Sequence, residues 1–284
     1  MPKRKVVKSI PAAVSRKSTR LSGSPAKRTS TVKASDSADG FVQGRTKWTA
    51  NKTLNEIRKA YEENSNLAYA ASIKQYMRNQ FEFYGLKAPV RRRLDAQIAE
   101  TVDFAEWTGE RLHSLITLLW AQTHREYQHF AVELARKHLA KVLYDFDHSM
   151  DLLRRMITTK SWWDTVDMIA PHLVGALVTR YPARGVPLMD EWIQDKHLWI
   201  RRAAILHQLA YKKDCNEERL YRYCLACCAE TDFFIRKAIG WALRQHAYLR
   251  PSSIKGFVST NDEKLSSLSK REALKHLGGW PSKK

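Results

Sequence analysis

Six short stretches of this chain repeat one pattern at a nearly constant spacing, and that spacing restricts the fold more than any other feature. The stretches are residues 89–94, 126–131, 162–166, 199–204, 234–239 and 268–273. Each opens on a large or apolar residue, continues with polar residues and runs into a small or apolar stripe. Anchored on Arg92, Gln128, Asp164, Arg201, Arg236 and Arg271, the steps are 36, 36, 37, 35 and 35 residues. From about residue 50 onward there is no strict period-2 alternation and no Asn-Gly or Asp-Gly hairpin signal flanked by it, so the repeating unit is helical. A helix pair repeated in the mid-thirties predicts an all-α fold. It is an α-solenoid of about six HEAT-like repeats, each shorter than the ~40–47 residues common in that class. Equivalent positions in successive repeats then line one concave groove. Pro89, Pro171, Pro182, Pro187 and Pro251 are expected at helix starts or breaks.

The formal charge of +20 is uneven. Residues 1–47 carry twelve Lys/Arg against Asp36 and Asp39, a net of +10. Residues 48–284 hold the remaining +10, with 37 basic residues against 27 acidic ones. A folded region with that surplus suits a polyanion, DNA or RNA above all, although charge alone equally describes a generally basic surface protein. Residues 1–47 are rich in Ser, Thr, Lys, Arg and Pro and poor in large apolar residues. Such a segment cannot offset its chain entropy by burial, so it is expected to be a disordered basic tail, with the folded domain at 48–284. Pro2-Lys3-Arg4-Lys5-Val6 reads as a nuclear-localisation or DNA-tethering signal. That places the protein in the nucleus if the source is eukaryotic, and in the cytoplasm or nucleoid otherwise. A mitochondrial presequence is the rival, disfavoured by the lack of an amphipathic helix. No apolar run reaches the ~18–20 residues of a membrane span, and the N-terminus has no apolar signal core. Cys224-x-x-Cys227 has metal-type spacing, but it sits in a helical stretch without a second Cys or His pair. Buried reduced thiols of an intracellular protein are the better reading.

Within the repeats, Ser161-Trp162-Trp163-Asp164-Thr165-Val166-Asp167 stands out. Read as a helix, Trp162, Val166, Ile169 and Leu173 form a buried stripe at i, i+4, i+7 and i+11. Trp163 and Asp167 are four apart and share a different face, which presents a ring beside a carboxylate. An exposed Trp and Asp on a solenoid helix carry no chemistry in themselves. The repeat frame puts Arg201 and Arg202, and Arg236 and Lys237, at matching first turns. They would rim the groove with cations that hold phosphates without reading sequence.

Four longer blocks then resemble one family: Thr159-Lys160-Ser161-Trp162-Trp163-Asp164-Thr165-Val166-Asp167, Trp199-Ile200-Arg201-Arg202-Ala203-Ala204, Phe234-Ile235-Arg236-Lys237-Ala238-Ile239-Gly240-Trp241 and Leu268-Ser269-Lys270-Arg271-Glu272-Ala273. With Tyr76-Met77-Arg78-Asn79-Gln80-Phe81 before them, they look like the AlkD family of DNA alkylation repair enzymes over about residues 50–279. The resemblance implies a HEAT-like repeat fold and a monofunctional glycosylase. Its partner would be double-stranded DNA containing cationic alkylpurines such as 3-methyladenine and 7-methylguanine, attacked without drawing the base into a pocket. Carried over by position, Trp163, Asp167 and Trp241 meet the lesion's deoxyribose and Arg202 holds phosphate beside them. Tyr76, Lys160, Arg201, Arg236, Lys237, Arg91 and Arg92 are further candidate DNA contacts. No metal or organic cofactor and no membrane are implied, and a monomer is expected.

The chemistry agrees with that set. Alkylation at N3 or N7 makes the purine a cation, so it leaves neutral and needs no general acid. The positive charge that develops on the sugar is stabilised by a carboxylate and by aromatic faces. Each residue also has a plainer reading. Trp241 and Tyr76 could pack, Arg202 could pair with a carboxylate, Asp164 could compete with Asp167, cap its helix or form a salt bridge, and Arg91 to Arg93 could be a solvated face. A helical-repeat module that binds nucleic acid or protein without catalysis would keep the basic groove but would not need the Trp163, Asp167 and Trp241 set.

Overall fold

The computed structural model describes residues 48–278. The expectations for residues 1–47 lie outside the described residues. The first five helices are α1 (Ala50–Glu63), α2 (Leu67–Tyr76), α3 (Ala88–Val102), α4 (Gly109–Ala121) and α5 (Arg125–Lys137). The single turn α6 (Leu139–Val142) leads to α7 (Phe146–Thr158), α8 (Trp163–Ile169), α9 (Gly175–Arg180) and α10 (Pro182–Trp192). Then come α11 (Leu198–Leu206), α12 (Glu217–Ala226), α13 (Phe233–Ala247), α14 (Pro251–Thr260) and α15 (Ser267–Ala273). Among the described residues there is no β-strand, and one isolated bridge joins Glu82 to His124.

The six anchors of the period fall on α3, α5, α8, α11, α13 and α15, each within the first five residues of its helix. From α5 onward these helices form one row: α5 packs on α8, α8 on α11, α11 on α13 and α13 on α15. A second row runs from α1 to α4, α7 and α9. The rows join through the pairs α1–α3, α4–α5, α7–α8, α10–α11 and α12–α13. The period read from the sequence is therefore the step along one row of a helical-repeat stack, in which each unit contacts its neighbours. Hydrogen bonds stitch the units at about one repeat's separation. Trp120 Nε1 donates to Thr159 Oγ1 at 3.0 Å, Arg154 to Asp195 at 2.9 Å and Arg244 to Glu272 at 2.6 Å.

The row that holds Asp164 is shaped by a proline. Helix α8 continues through a π-helical segment, Ala170–Val174, into α9. Pro171 has no N–H to donate, so the ladder widens there and closes again where Gly175 N–H reaches Ala170 O. Pro171 thus widens a helix that it was expected to break. Pro187 departs similarly, because it lies inside α10. Pro187 and Ala183 are both exposed, so the carbonyl freed by the missing N–H faces solvent. Pro89, Pro182 and Pro251 do sit in first turns.

Val166, Ile169 and Leu173 are fully buried, and each such side chain contributes about 1.5–3 kcal/mol. Trp162 departs from the stripe. It is the residue before the helix, with extended backbone, and its ring packs on Trp199 and Phe234 at 5.8 and 5.2 Å. Cys224 and Cys227 are buried free thiols, and burial pushes Cys227 up to about 12. No helix among the described residues is long and apolar enough to cross a membrane.

Candidate active site

The site is built on a pinned strap ahead of α8. Lys160 takes a left-handed conformation, φ +50°. Arg125 Nη1 donates to Lys160 O at 2.8 Å, Lys160 Nζ donates to Ala121 O at 2.9 Å and to Gln122 O, and Ser161 Oγ donates to Ile157 O at 2.6 Å. With the strap fixed, α8 starts at Trp163 and its first turn is locked by Asp164. That carboxylate accepts two bonds from Arg125, at 3.0 and 2.6 Å, and lies 2.8 Å from His129 Nε2. Arg125 is fully buried and also bonds Thr165 Oγ1 at 2.9 Å. Burial opposes ionisation of Asp164, but the bonds and charges of His129 and Arg125 outweigh it and hold the carboxyl well below the usual range.

One turn on, Trp163 and Asp167 face a cleft of about 360 Å³. Its other walls come from the end of α2 and from α11, α13 and α15, and include Tyr76, Arg202, Lys237, Trp241 and Glu272. Asp167 accepts two bonds from Arg202, both at 2.8 Å. Arg202 is buried and donates as well to the Phe234 carbonyl. The Asp167 side chain keeps 16% of its surface exposed. Burial raises its carboxyl above the ordinary value. Arg202 pulls it back in part, and the charge of Asp164 pushes it further up.

The opposite wall is organised by Glu272. Lys237, Trp241 and Arg244 lie at i, i+4 and i+7 on α13, one face of that helix. Glu272 of α15 takes Lys237 at 2.8 Å and Arg244 at 2.6 Å, one on each side of Trp241. Burial of Glu272 is outweighed by these two cations, which leave its carboxyl below the ordinary value. The helices approach this closely because position 240 is glycine. A Cβ there would stand 2.5 Å from Glu272 Cβ and 2.8 Å from Ser269 O. Trp163 is held on its outer side by the exposed Tyr76, ring edge to face at 6.2 Å.

The structure thus brings Trp163, Asp167, Trp241, Arg202, Lys237 and Tyr76 to one cleft. The role expected of Arg202 and the placement of the remaining candidates differ from the expectation. Arg202 spends its guanidinium on Asp167 and a carbonyl, so it positions the carboxylate and has little left for phosphate. Arg201 is engaged by Glu230 at 2.8 and 2.7 Å and by the carbonyls of Asp195 and Lys196. Lys160 caps the end of α4. Arg236 gives Nε to Glu230 O at 2.8 Å. Arg91 is buried against Asp95 at 2.6 Å, while Arg92 is exposed. Trp162, expected in the core, is half-buried and also lines the cleft.

Glu272, Arg244 and Arg78 line the cleft too, and none of them stood out in the sequence. A signal for Glu272 existed. In four of the six units the position after the anchor carries a charged or titratable side chain of an inter-helix pair: His129 meets Asp164, Arg202 meets Asp167, and Lys237 meets Glu272. Glu272 itself follows the anchor Arg271.

No curated protein matches this chain. Among solved structures, a predicted DNA alkylation repair enzyme from Enterococcus faecalis is 29% identical with a TM-score of 0.68, over 75% of this chain and 96% of that one. AlkD2 from Streptococcus mutans is 21% identical with a TM-score of 0.50, over 64% and 88% of the two chains. The protein smu.31 from Streptococcus mutans UA159 is 19% identical with a TM-score of 0.50, over 70% and 96%. These last two share the fold. The family model described as DNA alkylation repair enzyme matches residues 57–277, and the chain belongs to that family.

Proposed function

We propose that the cleft is the active site of a monofunctional DNA glycosylase that releases cationic N3- and N7-alkylated purines from duplex DNA. The observation that carries this reading is Asp167: a carboxylate held by two bonds from buried Arg202, part-exposed to a cleft that Trp163 and Trp241 share. In the reaction the bond from C1′ to the purine nitrogen breaks and the base keeps both electrons, so it departs neutral. The sugar becomes an oxocarbenium-like cation. Asp167 stabilises that charge, and the indole faces of Trp163 and Trp241 add cation–π attraction. Water then adds to C1′ and loses a proton, and a carboxylate oxygen is suited to orient it. A cationic base needs no proton donor, so the enzyme need not extrude it and grip its edge as glycosylases of neutral lesions do.

A strand-cleaving step would require an unprotonated amine to attack C1′. Lys237, the lysine of the cleft wall, is engaged by Glu272 at 2.8 Å, so its amine is directed at a carboxylate. No cofactor enters this mechanism, and a monomer suffices for it.

The second reading is a DNA-binding module in which Arg202 and Asp167 are a structural ion pair, as their two short bonds also allow. Methylated duplex DNA separates the two. On the glycosylase reading, the wild-type protein releases 7-methylguanine and 3-methyladenine and leaves abasic sites. It makes no strand breaks and leaves a uracil-containing duplex untouched. Background-level release from wild type and Asp167→Asn alike would leave only the binding module.

A further inference from the structure

If the cleft acts on duplex DNA, it must also hold the anionic backbone, and its obvious cations are already engaged. Arg202 is committed to Asp167, and Lys237 and Arg244 are committed to Glu272. Arg78 is different. It lines the same cleft and is exposed. Among the described residues its side chain has no ion-pair or hydrogen-bond partner.

Its backbone points the same way. Arg78 and Asn79 follow the end of α2 with φ of +55° and +58°, two consecutive non-glycine residues in the left-handed region. Glycine is the residue that takes that conformation without strain. The turn is held by bonds to its neighbours in sequence and by the burial of Met77. Asn79 N–H reaches Lys74 O at 2.8 Å, Met77 is buried, and Gln80 Nε2 reaches Arg78 O at 3.4 Å. Met77 therefore anchors the segment, and the strained turn carries an arginine on the rim beside Tyr76 and Trp163. Strained backbone that the surroundings over-determine concentrates at functional sites.

We infer that Arg78 is the phosphate-gripping residue of the cleft, binding the DNA backbone next to the sugar that Trp163 faces. This rests on the reading of the cleft as a DNA site. A guanidinium supplies a planar fork of N–H donors that matches two phosphate oxygens, and no carboxylate among the described residues competes for it. Its contribution is to affinity and placement, with the chemistry left to Asp167.

The turn itself supplies a clean variant. Arg78→Gly removes the charge and relaxes the backbone, so it should melt no lower than wild type. Binding of the full chain to an undamaged duplex is measured over a range of salt, alongside single-turnover base release at saturating enzyme. Arg78→Gly is expected to bind several-fold more weakly. The slope of log K against log salt should fall by about 0.9, the value of one lost phosphate contact. Arg78→Lys should restore the slope, and saturated release should stay within about twofold of wild type for both. A wild-type slope and affinity for Arg78→Gly would overturn the assignment. So would weaker binding with an unchanged slope, since that means a contact other than phosphate. If wild type binds duplex DNA but releases no base, the glycosylase reading falls, and the slope of Arg78→Gly still decides the role of Arg78.

Discussion

Asp164 and Asp167 stand three residues apart at the start of one helix. Both are largely buried, yet their carboxyls end on opposite sides of the ordinary value. The difference is the donor count. Asp164 has both Arg125 and His129, enough to outweigh its burial, and its side chain is 9% exposed. Asp167 has Arg202 alone, feels repulsion from Asp164 and keeps an open side toward the cleft. The helix therefore carries one aspartate that locks the repeats together and one that is left under-compensated at the wall of the cleft.

The two contribute to stability with opposite signs. Asp164, lowered on folding, stabilises the protein at any pH above the ordinary carboxylate value. That contribution is lost as pH falls toward its depressed folded value. Asp167, raised on folding, stabilises only at pH below the ordinary value. That contribution disappears as pH rises through its raised folded value, so the ionised form that the proposed reaction uses costs stability at neutral pH.

The contrast can be broken from either side. The largest effect is expected from Asp164→Ala, which leaves the fully buried Arg125 without its counter-charge. The expected loss is about 3–5 kcal/mol, read by urea denaturation. A loss under about 1 kcal/mol would mean that the repeats are not locked there. Next is Arg202→Ala, which removes the donor set of Asp167 and lets burial raise its carboxyl further. Base release at neutral pH should fall by about 10²-fold, as on loss of one preorganised electrostatic contact. Part of it should return as pH rises. The wild-type profile of saturated release sharpens the same point. It should decline in acid with a midpoint above the ordinary carboxylate value, and a midpoint below that value would contradict the assigned environment. The smallest effect belongs to the aromatic walls. Trp241→Leu removes a cation–π contribution of about 0.5–2 kcal/mol, seen as a severalfold lower rate, while Trp241→Phe should keep most of it.

The fold was legible in the sequence because a helical repeat writes itself as a period. All six anchors landed in the opening turns of their helices. Trp163 and Asp167 were legible as a shared face because they lie within one helix. Ion pairing at Arg202 and Asp164 was a possible reading, but which residue each would pair with was not legible. Arg125 reaches Asp164 across 39 residues, Arg202 reaches Asp167 across 35, and Glu272 reaches Arg244 across 28. Nothing local to any of these residues announces such a bond. The count of basic residues gave the net charge of residues 48–284 but could not say which cations the protein itself engages. Arg201, Arg91 and Lys160 were spent on the protein's own carboxylates and carbonyls, and Arg78 was not. A left-handed turn made of Arg78 and Asn79 has no glycine to signal it.

The central claim is that Asp167, and not Asp164, performs the reaction. The most direct test is Asp167→Asn in single-turnover release of 7-methylguanine from duplex DNA. Enzyme must be saturating, the folded fraction must be matched to wild type, and affinity for the duplex is measured in parallel. The expected result is a rate lowered by about 10²–10³-fold with affinity within a few-fold of wild type. A variant that releases the base within about threefold of the wild-type rate would show Asp167 to be a structural partner of Arg202 and nothing more.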